Sequence, residues 1–427
     1  MKNRLIMHLD GDAFFVSVEA AKDPSLRGKP VVTGQERGIA SAMSYEAKKL
    51  GITRATPVFQ IRKQFPQVRI VNSDYDSYSV FSRRMFDIIR RYTSVVEEYS
   101  IDECFADFTD VSGFAENPRP TLEALKHDIH KELGISVSLG LGPTKVLAKT
   151  ASKSQKPNGL TIIAGMGQGL RDIELLLDRT QISSVWGIGS ATSIALRRRG
   201  VSTALELARK PLSWVEEHFP KPVAEMWYEL NGISVHRVHA TGIEQSETQK
   251  SIMKTRTFSP ASNNKVQVFS ELSKNIENAC RKAREEGLCA REFSVYLKTS
   301  EFSYRRHWAR LAAPTNDPFV IIPEARKLFE QIFDPTRRYR ATGVSLYSLV
   351  GESAVQEDLF GISHADKDRA EVFRAADRLN RRYGRGLVHI ATSLLALRRE
   401  EKDERTLPFL PRGVHRRLVV PFLGDVR

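Results

Sequence analysis

Cysteine is nearly absent: the 427 residues contain three, Cys104, Cys280 and Cys289. An odd count without a CxxC spacing supports neither a disulfide framework nor a thiolate zinc site. Cys104 lies in an apolar alternation and reads as a small core residue. No apolar run approaches the ~18 residues of a membrane span. The first twenty residues carry acids where a signal peptide would carry its apolar core. The expectation is a cytoplasmic chain with no membrane partner. Neither hydrophobic residues, at 41%, nor aromatic ones, at 8%, are depleted, so a sizeable core is possible.

Positive charge is in excess. The net charge is +14, and residues 251–427 hold 32 Lys and Arg against 22 Asp and Glu, whereas residues 1–250 hold 33 against 29. Such an excess suits a polyanionic partner, but a solvated basic surface would explain the charge equally well. A more specific signal is needed.

The length allows about three domains. The opening Leu5–Leu9 run predicts a strand, and "IASAMSYEAKKLGI" predicts strand into helix. In "SRRMFDIIRRY", Met85, Phe86, Ile88 and Ile89 recur at helical spacing. "VVEEYSIDECFADFTD" alternates as a half-buried strand through Cys104, Ala106 and Phe108. A helix, "RPTLEALKHDIHKEL", and a strand, "GISVSLGLG", complete an expected α+β sheet domain with helices on one face. Residues 171–235 read as mostly helical, punctuated by "VWGIGS" and "RRRG". Past Thr241 a second module reads βαββαβ: "QKSIMKTRTF", "VQVFSELSKNIENACRKAREEG", "EFSVYLKT", "HWARLA", "IPEARKLFEQIF" and "ATGVSLYSLV". No sequence repeat links the two modules. From Gln356 onward the expectation is a polar tail with one helix near residues 369–382.

The stretch "HLDGDAFFVSVE" ends an apolar strand in clustered acids, Asp10 and Asp12, beside two rings, Phe14 and Phe15. A second pair, Asp102 and Glu103, sits in "YSIDECF" between a turn and a strand. In an antiparallel sheet the two clusters can be neighbours. Unpaired carboxylates brought together repel and raise one another's pKa values, a cost that a divalent cation cancels. Oxygen-rich sites suit Mg²⁺ or Mn²⁺, and two such ions can clamp a phosphoryl displacement. Taken singly, each acid is more readily read as a surface turn residue; only their convergence argues otherwise.

"HLDGDAFFVSVE", "SYEAKKLGI", "EEYSIDECFADFT", "TKVLAKTASKSQKPNGL" and "VWGIG" stand in the order found in the Y-family, or translesion, DNA polymerases. The chain resembles that family from its first strand to about residue 350. The resemblance implies a right-hand polymerase: a ferredoxin-like palm (1–19 and 76–165), small fingers (20–75), a helical helix-hairpin-helix thumb (166–238) and a βαββαβ little finger (245–350). A clamp-binding peptide and tail would occupy 351–427.

It further implies two Mg²⁺ ions, or Mn²⁺, held by Asp10, Asp102 and Glu103 with the Gly11 carbonyl as a backbone ligand. Glu103 would be the catalytic acid beside them, and Asp12 would lie outside the metal shell. Phe15 would press against the sugar of the incoming nucleotide and exclude a ribose 2′-OH, while Phe14 packs in the core. Tyr45, Lys48 and Lys156 match triphosphate-holding positions. Relatives commonly carry Arg where Lys48 stands, so a bidentate fork is replaced by a point charge.

Gly187 and Gly189 would let the thumb backbone approach a DNA phosphate, with Arg197 to Arg199 following. Lys254, Arg256, Lys298, Arg305 and Arg306 would hold the DNA backbone without reading sequence. Gln356, Leu359 and Phe360 of "QEDLF" resemble the sliding-clamp peptide of bacterial polymerases. "LNRRYGRGLVHIA", with the "VWGIG" and "LKTSEF" forms, resembles the catalytic subunit of the polymerase V branch, which is the expectation; "LDGDAFF" has the flavour of the polymerase IV branch, the alternative.

The implied function is template-directed, low-fidelity lesion-bypass synthesis from dNTPs on primer–template DNA. Its implied partners are the clamp and, on the polymerase V branch, an accessory mutagenesis subunit and a recombinase filament. Two other classes stay open: an inactive DNA-binding adaptor, against which the retained acids argue, and a palm-domain nucleotidyl cyclase, which would need neither hairpin nor basic module.

Overall fold

In the computed structural model, which describes residues 4–163, 169–241, 249–354, 363–383 and 386–399, the chain divides near residue 245 into two units. The first opens with β1 (Ile6–Gly11) and α1 (Phe14–Lys22), followed by β2 (Val31–Thr33), β3 (Ala42–Met43), α2 (Tyr45–Lys49), α3 (Val58–Gln64) and β4 (Arg69–Val71). Next come α4 (Tyr75–Arg90), β5 (Val96–Glu98), β6 (Glu103–Asp107), α5 (Pro118–Leu133), β7 (Val137–Gly142), α6 (Lys145–Ser154) and β8 (Leu160–Ile162).

The main sheet runs β5-β6-β1-β7-β8, with β1 antiparallel to both neighbours. Alternation along β1 sorts its side chains. Met7 and Leu9 join a core with Phe81, Met85, Leu122, Leu125 and Ile129 from α4 and α5. Ile6 instead clusters with Phe105 and Ala148, and the His8 ring shares a 2.7 Å hydrogen bond with Ser152 Oγ of α6.

Helices therefore cover both faces, not the single face expected. The "SLGLG" strand explains why. A Cβ at Gly140 would fall on the Ala148 carbonyl oxygen and the Ser152 amide nitrogen, so only glycine lets α6 lie this close. Residues 31–71 form a smaller sheet, β3-β2-β4, around Val32, Met43, Ile52 and Ile61.

A helical segment follows: α7 (Gly169–Arg179), α8 (Ser190–Arg198), α9 (Ala204–Ala208), α10 (Leu212–His218) and α11 (Lys221–Leu230). Its core gathers Leu177, Val185, Leu196, Val215 and Met226, and α9 starts with a Thr203–Glu206 capping box, the reciprocal pairing that satisfies two orphan amides.

The second unit has the expected βαββαβ order: β9 (Ser251–Ser262), α12 (Lys265–Glu285), β10 (Leu288–Thr299), β11 (Tyr304–Thr315), α13 (Pro318–Ile332) and β12 (Tyr339–Gly351). Its sheet runs β11-β10-β12-β9, with Phe293, Val295, Leu297, Val344 and Leu346 packed on α12 and α13. The chain beyond is more than a tail. Within α14 (Ser363–Tyr383), Asp377 pairs with Arg284 at 2.8 Å; beyond it, the Ile390 amide donates to Glu277 and the Ala396 amide donates to Ser270 Oγ at 3.1 Å. The outward side of α12 carries these polar groups, and the C-terminal segment satisfies them. The expected clamp residues Gln356, Leu359 and Phe360 lie outside the described residues. Among the described residues no helix is long and apolar enough to cross a membrane.

Candidate active site

The two acid clusters meet at one end of the main sheet. Asp10 lies directly opposite Glu103 in the β1–β6 register, and the Gly11 amide donates to the Asp102 carbonyl at 2.8 Å. Antiparallel pairing thus joins residues some ninety positions apart.

Each carboxylate has its own partner. Lys156 donates to Asp10 Oδ1. Ser100 Oγ donates to Asp102 Oδ1 at 2.7 Å. Lys149 Nζ donates to both oxygens of Glu103, at 3.0 and 2.9 Å, and His8 Nε2 stands 3.4 Å from Glu103 Oε2. Burial pushes the Glu103 carboxyl up, but the His8 and Lys149 hydrogen bonds and the Lys149 charge outweigh it and hold the group at about 2. Burial drives the His8 imidazolium down, leaving the neutral ring between Ser152 and Glu103.

Asp12 has a different environment. Its side chain is buried and accepts from Ser138 Oγ at 2.8 Å, the Asn158 amide at 2.7 Å and Tyr45 Oη at 3.3 Å. Three donors from three segments make it a structural junction. Between Asp12 and Phe14 the chain turns through Ala13 at φ 46°, a left-handed conformation unfavourable for a residue with a Cβ. The turn sends Phe14 inward to the core. Phe15 is partly buried, stacked on Tyr78 with ring centroids 4.2 Å apart and edge-on to Tyr75 at 5.6 Å.

Tyr45, Lys48 and Lys156 border the same acids. Lys48 Nζ lies 4.3 Å over the Tyr45 ring; burial and the nearby Lys156 charge hold its ammonium below the usual lysine range. Burial and the Asp12 charge push the Tyr45 phenol up. Two mutually repelling lysines at the rim of a carboxylate cluster form a place suited to a polyanion.

The carboxylates of Asp10, Asp102 and Glu103 and the Gly11 carbonyl are hard oxygen donors, the donor type that Mg²⁺ or Mn²⁺ takes. As they lie, the side chains are taken up by lysine and serine, and among the described residues no three acids, histidines or cysteines stand grouped as a ready-made metal site. The donor set fits the ion once those contacts are exchanged.

In the helical segment Gly187 has φ 91°, and a Cβ there would strike Met226 Sδ. Its freedom therefore serves the turn and the interior, while Gly189 caps α8 with open space around it. Arg197 donates to Ser183 Oγ at 3.0 Å, and Arg199 lies 5.5 Å over the Phe219 ring.

In the second unit the expected basic residues separate. Lys298 faces away from the helices, beside Phe302 and Tyr304, as does Arg306, which donates to Ser294 Oγ at 2.9 Å. Lys254 and Arg256, expected to act with them, pair with Val344 and Thr342. They therefore point to the helix side, where they line a cavity of 740 Å³ with Lys274, Arg281 and Asp377. This placement follows from strand alternation: the even-numbered positions of β9 share a face with Ile252 and Phe258. Arg305 also turns inward, 3.6 Å from Asp334.

Residue reasoning missed His8, Tyr75, Tyr78, Ser138, Lys149 and Trp186. Lys149 had a signal: it follows Lys145 by four positions on the helix of "TKVLAKTASKS", so the two share a face.

Comparison with known proteins adds the lineage. The family model described as "impB/mucB/samB family" matches residues 9–153, and that of its C-terminal domain matches residues 249–359. DNA polymerase IV of Moorella thermoacetica is 33% identical over 401 residues, covering 91% of this chain and 96% of the relative. DNA polymerase IV 1 of Bacillus subtilis is 29% identical over 96% of this chain and 97% of its own. Among solved structures, a Y-family DNA polymerase chimera of Dbh and Dpo4 has a TM-score of 0.68 at 23% identity, covering 81% of this chain and 99% of that one.

The polymerase V branch expected from the C-terminal segment is not supported. The relatives bear the polymerase IV name, and the Bacillus match extends over nearly the whole chain, so that segment does not single out the other branch. By the two family domains it carries and the relatives that span it, the chain belongs to the Y family of DNA polymerases.

Proposed function

We propose that this polymerase extends a primer 3′-OH on template DNA with dNTPs, past lesions, by phosphoryl transfer at the Asp10–Glu103 end of the main sheet. The observation that carries the reading is the register that sets Asp10 opposite Glu103, with Asp102 one hydrogen bond from Gly11 and two lysines at the rim.

Asp10, Asp102 and Glu103, with the Gly11 carbonyl, would hold two Mg²⁺ ions, or Mn²⁺. When bound, such ions supply Lewis-acid stabilisation of charge on the attacking and leaving oxygens. The chain does the rest. Lys48 and Lys156 bind triphosphate oxygens as point charges, and Tyr45 orients them from its hydrogen bond to Asp12. The Phe15 ring, braced by Tyr78, leaves no room for a ribose 2′-OH. Glu103 is the catalytic carboxylate, held between Lys149 and His8.

We assign residues 1–19 and 76–165 to the palm, 20–75 to the fingers, 166–238 to the thumb and 245–350 to the little finger. Gly189 at the start of α8 offers an amide end to a DNA phosphate. Lys298 and Arg306 on the open sheet face grip the backbone, which positions DNA without reading it. Gln356, Leu359 and Phe360 tether the enzyme to a sliding clamp, raising its effective concentration at the primer end.

Primer extension with Mg²⁺ and dNTPs tests the assignment. Wild type extends; Asp102→Ala does not, while keeping its melting temperature and its DNA affinity. A wild type that binds DNA and never extends would return the adaptor reading. Deletion of Gln356–Phe360 removes stimulation by the clamp and spares distributive synthesis; stimulation that survives the deletion excludes the peptide.

A further inference from the structure

Lys149 has no part in the reading above beyond its contact with Glu103, yet it is one of the few buried lysines of the first unit. Both Glu103 oxygens accept from it. Its Nζ lies 4.7 Å over the Tyr99 ring, 5.5 Å over Trp186 and 6.0 Å over Phe105. These rings form a box: Tyr99 meets Trp186 edge-on at 5.5 Å and Phe105 at 5.7 Å, and Trp186 Nε1 donates to Tyr99 Oη at 3.1 Å. At the neighbouring helix position Lys145 braces the same wall, 5.1 Å over Phe105 and 2.5 Å from Glu97.

A buried ion pair is weak evidence for stability, because well-packed apolar residues of similar volume often do as well. What this one supplies is direction. Two donors in line with a carboxylate fix its plane, and a desolvated ammonium among ring faces is itself fixed by cation–π attraction.

The box also has a particular address. Tyr99 and Phe105 flank the acids on the β5–β6 hairpin, whereas Trp186 is the residue before Gly187, at the entry to the turn that ends in the open Gly189 cap of α8.

We propose that Lys149 is a positioning residue for the polymerase reaction, setting the direction of the Glu103 carboxylate, and that the ring box ties this hold to Trp186, so that occupation of the Gly187–Gly189 turn by a DNA backbone is felt at Glu103. The inference rests on the polymerase reading and adds to it a link between the grip on DNA and the reacting acid.

The test compares Lys149→Met, Trp186→Leu and the double variant by single-turnover extension at saturating Mg²⁺, by Mn²⁺ binding to the protein alone followed by electron paramagnetic resonance, and by thermal melting. For Lys149→Met the extension rate falls at least ~10-fold with nucleotide affinity within ~3-fold, the pattern of an interaction needed in the transition state. Mn²⁺ binding to the same variant tightens by at least ~3-fold, because a repelling charge is gone and both Glu103 oxygens are released. Opposite movement of binding and rate is what a merely structural lysine would not produce; a fall in both overturns the proposal.

Trp186→Leu slows extension by roughly 3-fold without weakening primer–template binding, and the double variant is no slower than Lys149→Met, as residues acting through one another are non-additive. Independent, multiplying effects refute the link. If Lys149→Met does not fold, Trp186→Leu decides: an unchanged rate refutes the proposal. A wild type unable to extend would overturn the polymerase reading, and the Mn²⁺ shift would still judge the hold on Glu103.

Discussion

Asp10 and Asp12 are chemically identical and two positions apart, and their neighbours give them different work. Asp10 lies near the end of a strand, paired with the Lys156 ammonium, a contact a cation can replace. Asp12 is buried and already accepts from Ser138, Asn158 and Tyr45, so its carboxylate is committed to holding three segments together. The sequence showed that acids cluster, and motif order separated the two roles; the donors themselves come from residues 33 to 146 positions away, which no local pattern reveals.

Phe15 poses the same problem. Its place after the acids alone reads as core, and only the family resemblance marks it for the sugar, while the Tyr75 and Tyr78 rings that brace it belong to α4. Phe15→Ala is expected to raise ribonucleotide incorporation relative to dNTP by at least ~10-fold, or about 1.4 kcal/mol of lost discrimination. It should also cost about 2 kcal/mol of stability, because only part of a Phe truncation applies to a partly buried ring. Competitive extension assays and denaturant unfolding measure the two effects; an unchanged sugar preference removes Phe15 from the gate.

At the level of elements, α6 carries the site. It brings Lys149 to Glu103 and delivers the chain to Lys156, and it can do so only because Gly140 lets it rest on β7. Gly140→Ala is expected to destabilise the first unit by about 1–3 kcal/mol, the usual cost of overpacking, and to slow extension, because both lysines shift with the helix. Denaturant unfolding and single-turnover rates check this, and a variant of wild-type stability would mean that α6 is free to move. The strand "SLGLG" was legible as a strand; its glycines gave no sign of which helix they admitted. Strand β9 shows the converse. Its alternation was plain in "QKSIMKTRTF", but the face on which Lys254 and Arg256 fall is decided by pairing with β12, a partner ninety residues on.

On the scale of the molecule, the second unit is finished by residues beyond its βαββαβ core. The helix near 369–382 was readable from its polar amphipathic pattern; its docking was not, because the surface it covers on α12 is polar and looks solvated in sequence. Glu277, which accepts from the Ile390 amide, records the docking of the segment that follows this helix. Burial pushes its carboxyl above the ordinary 4.5, and the Ile390 hydrogen bond opposes this only in part. The folded state therefore holds the proton to higher pH than the unfolded chain. The resulting stabilisation is full below the unfolded value and is lost as pH rises through the folded one. Stability curves of wild type and Glu277→Gln are expected to diverge above pH 4.5 in favour of the glutamine variant. Parallel curves would mean that the carboxyl is hydrated and the segment undocked.

The Asp12 junction has a consequence for the order in which the enzyme comes into being. Its three donors enter the chain at residues 45, 138 and 158, so a growing polypeptide carries its first acid long before anything can fasten it. Contacts of such sequence separation are closed late, at the expense of loop entropy. A nascent chain that stops short of Asn158 has the strand, the rings and the acids, but the donor that completes the joint at Asp12 has not yet been synthesised. The joint at Asp12 is thus complete only once Asn158 has been added.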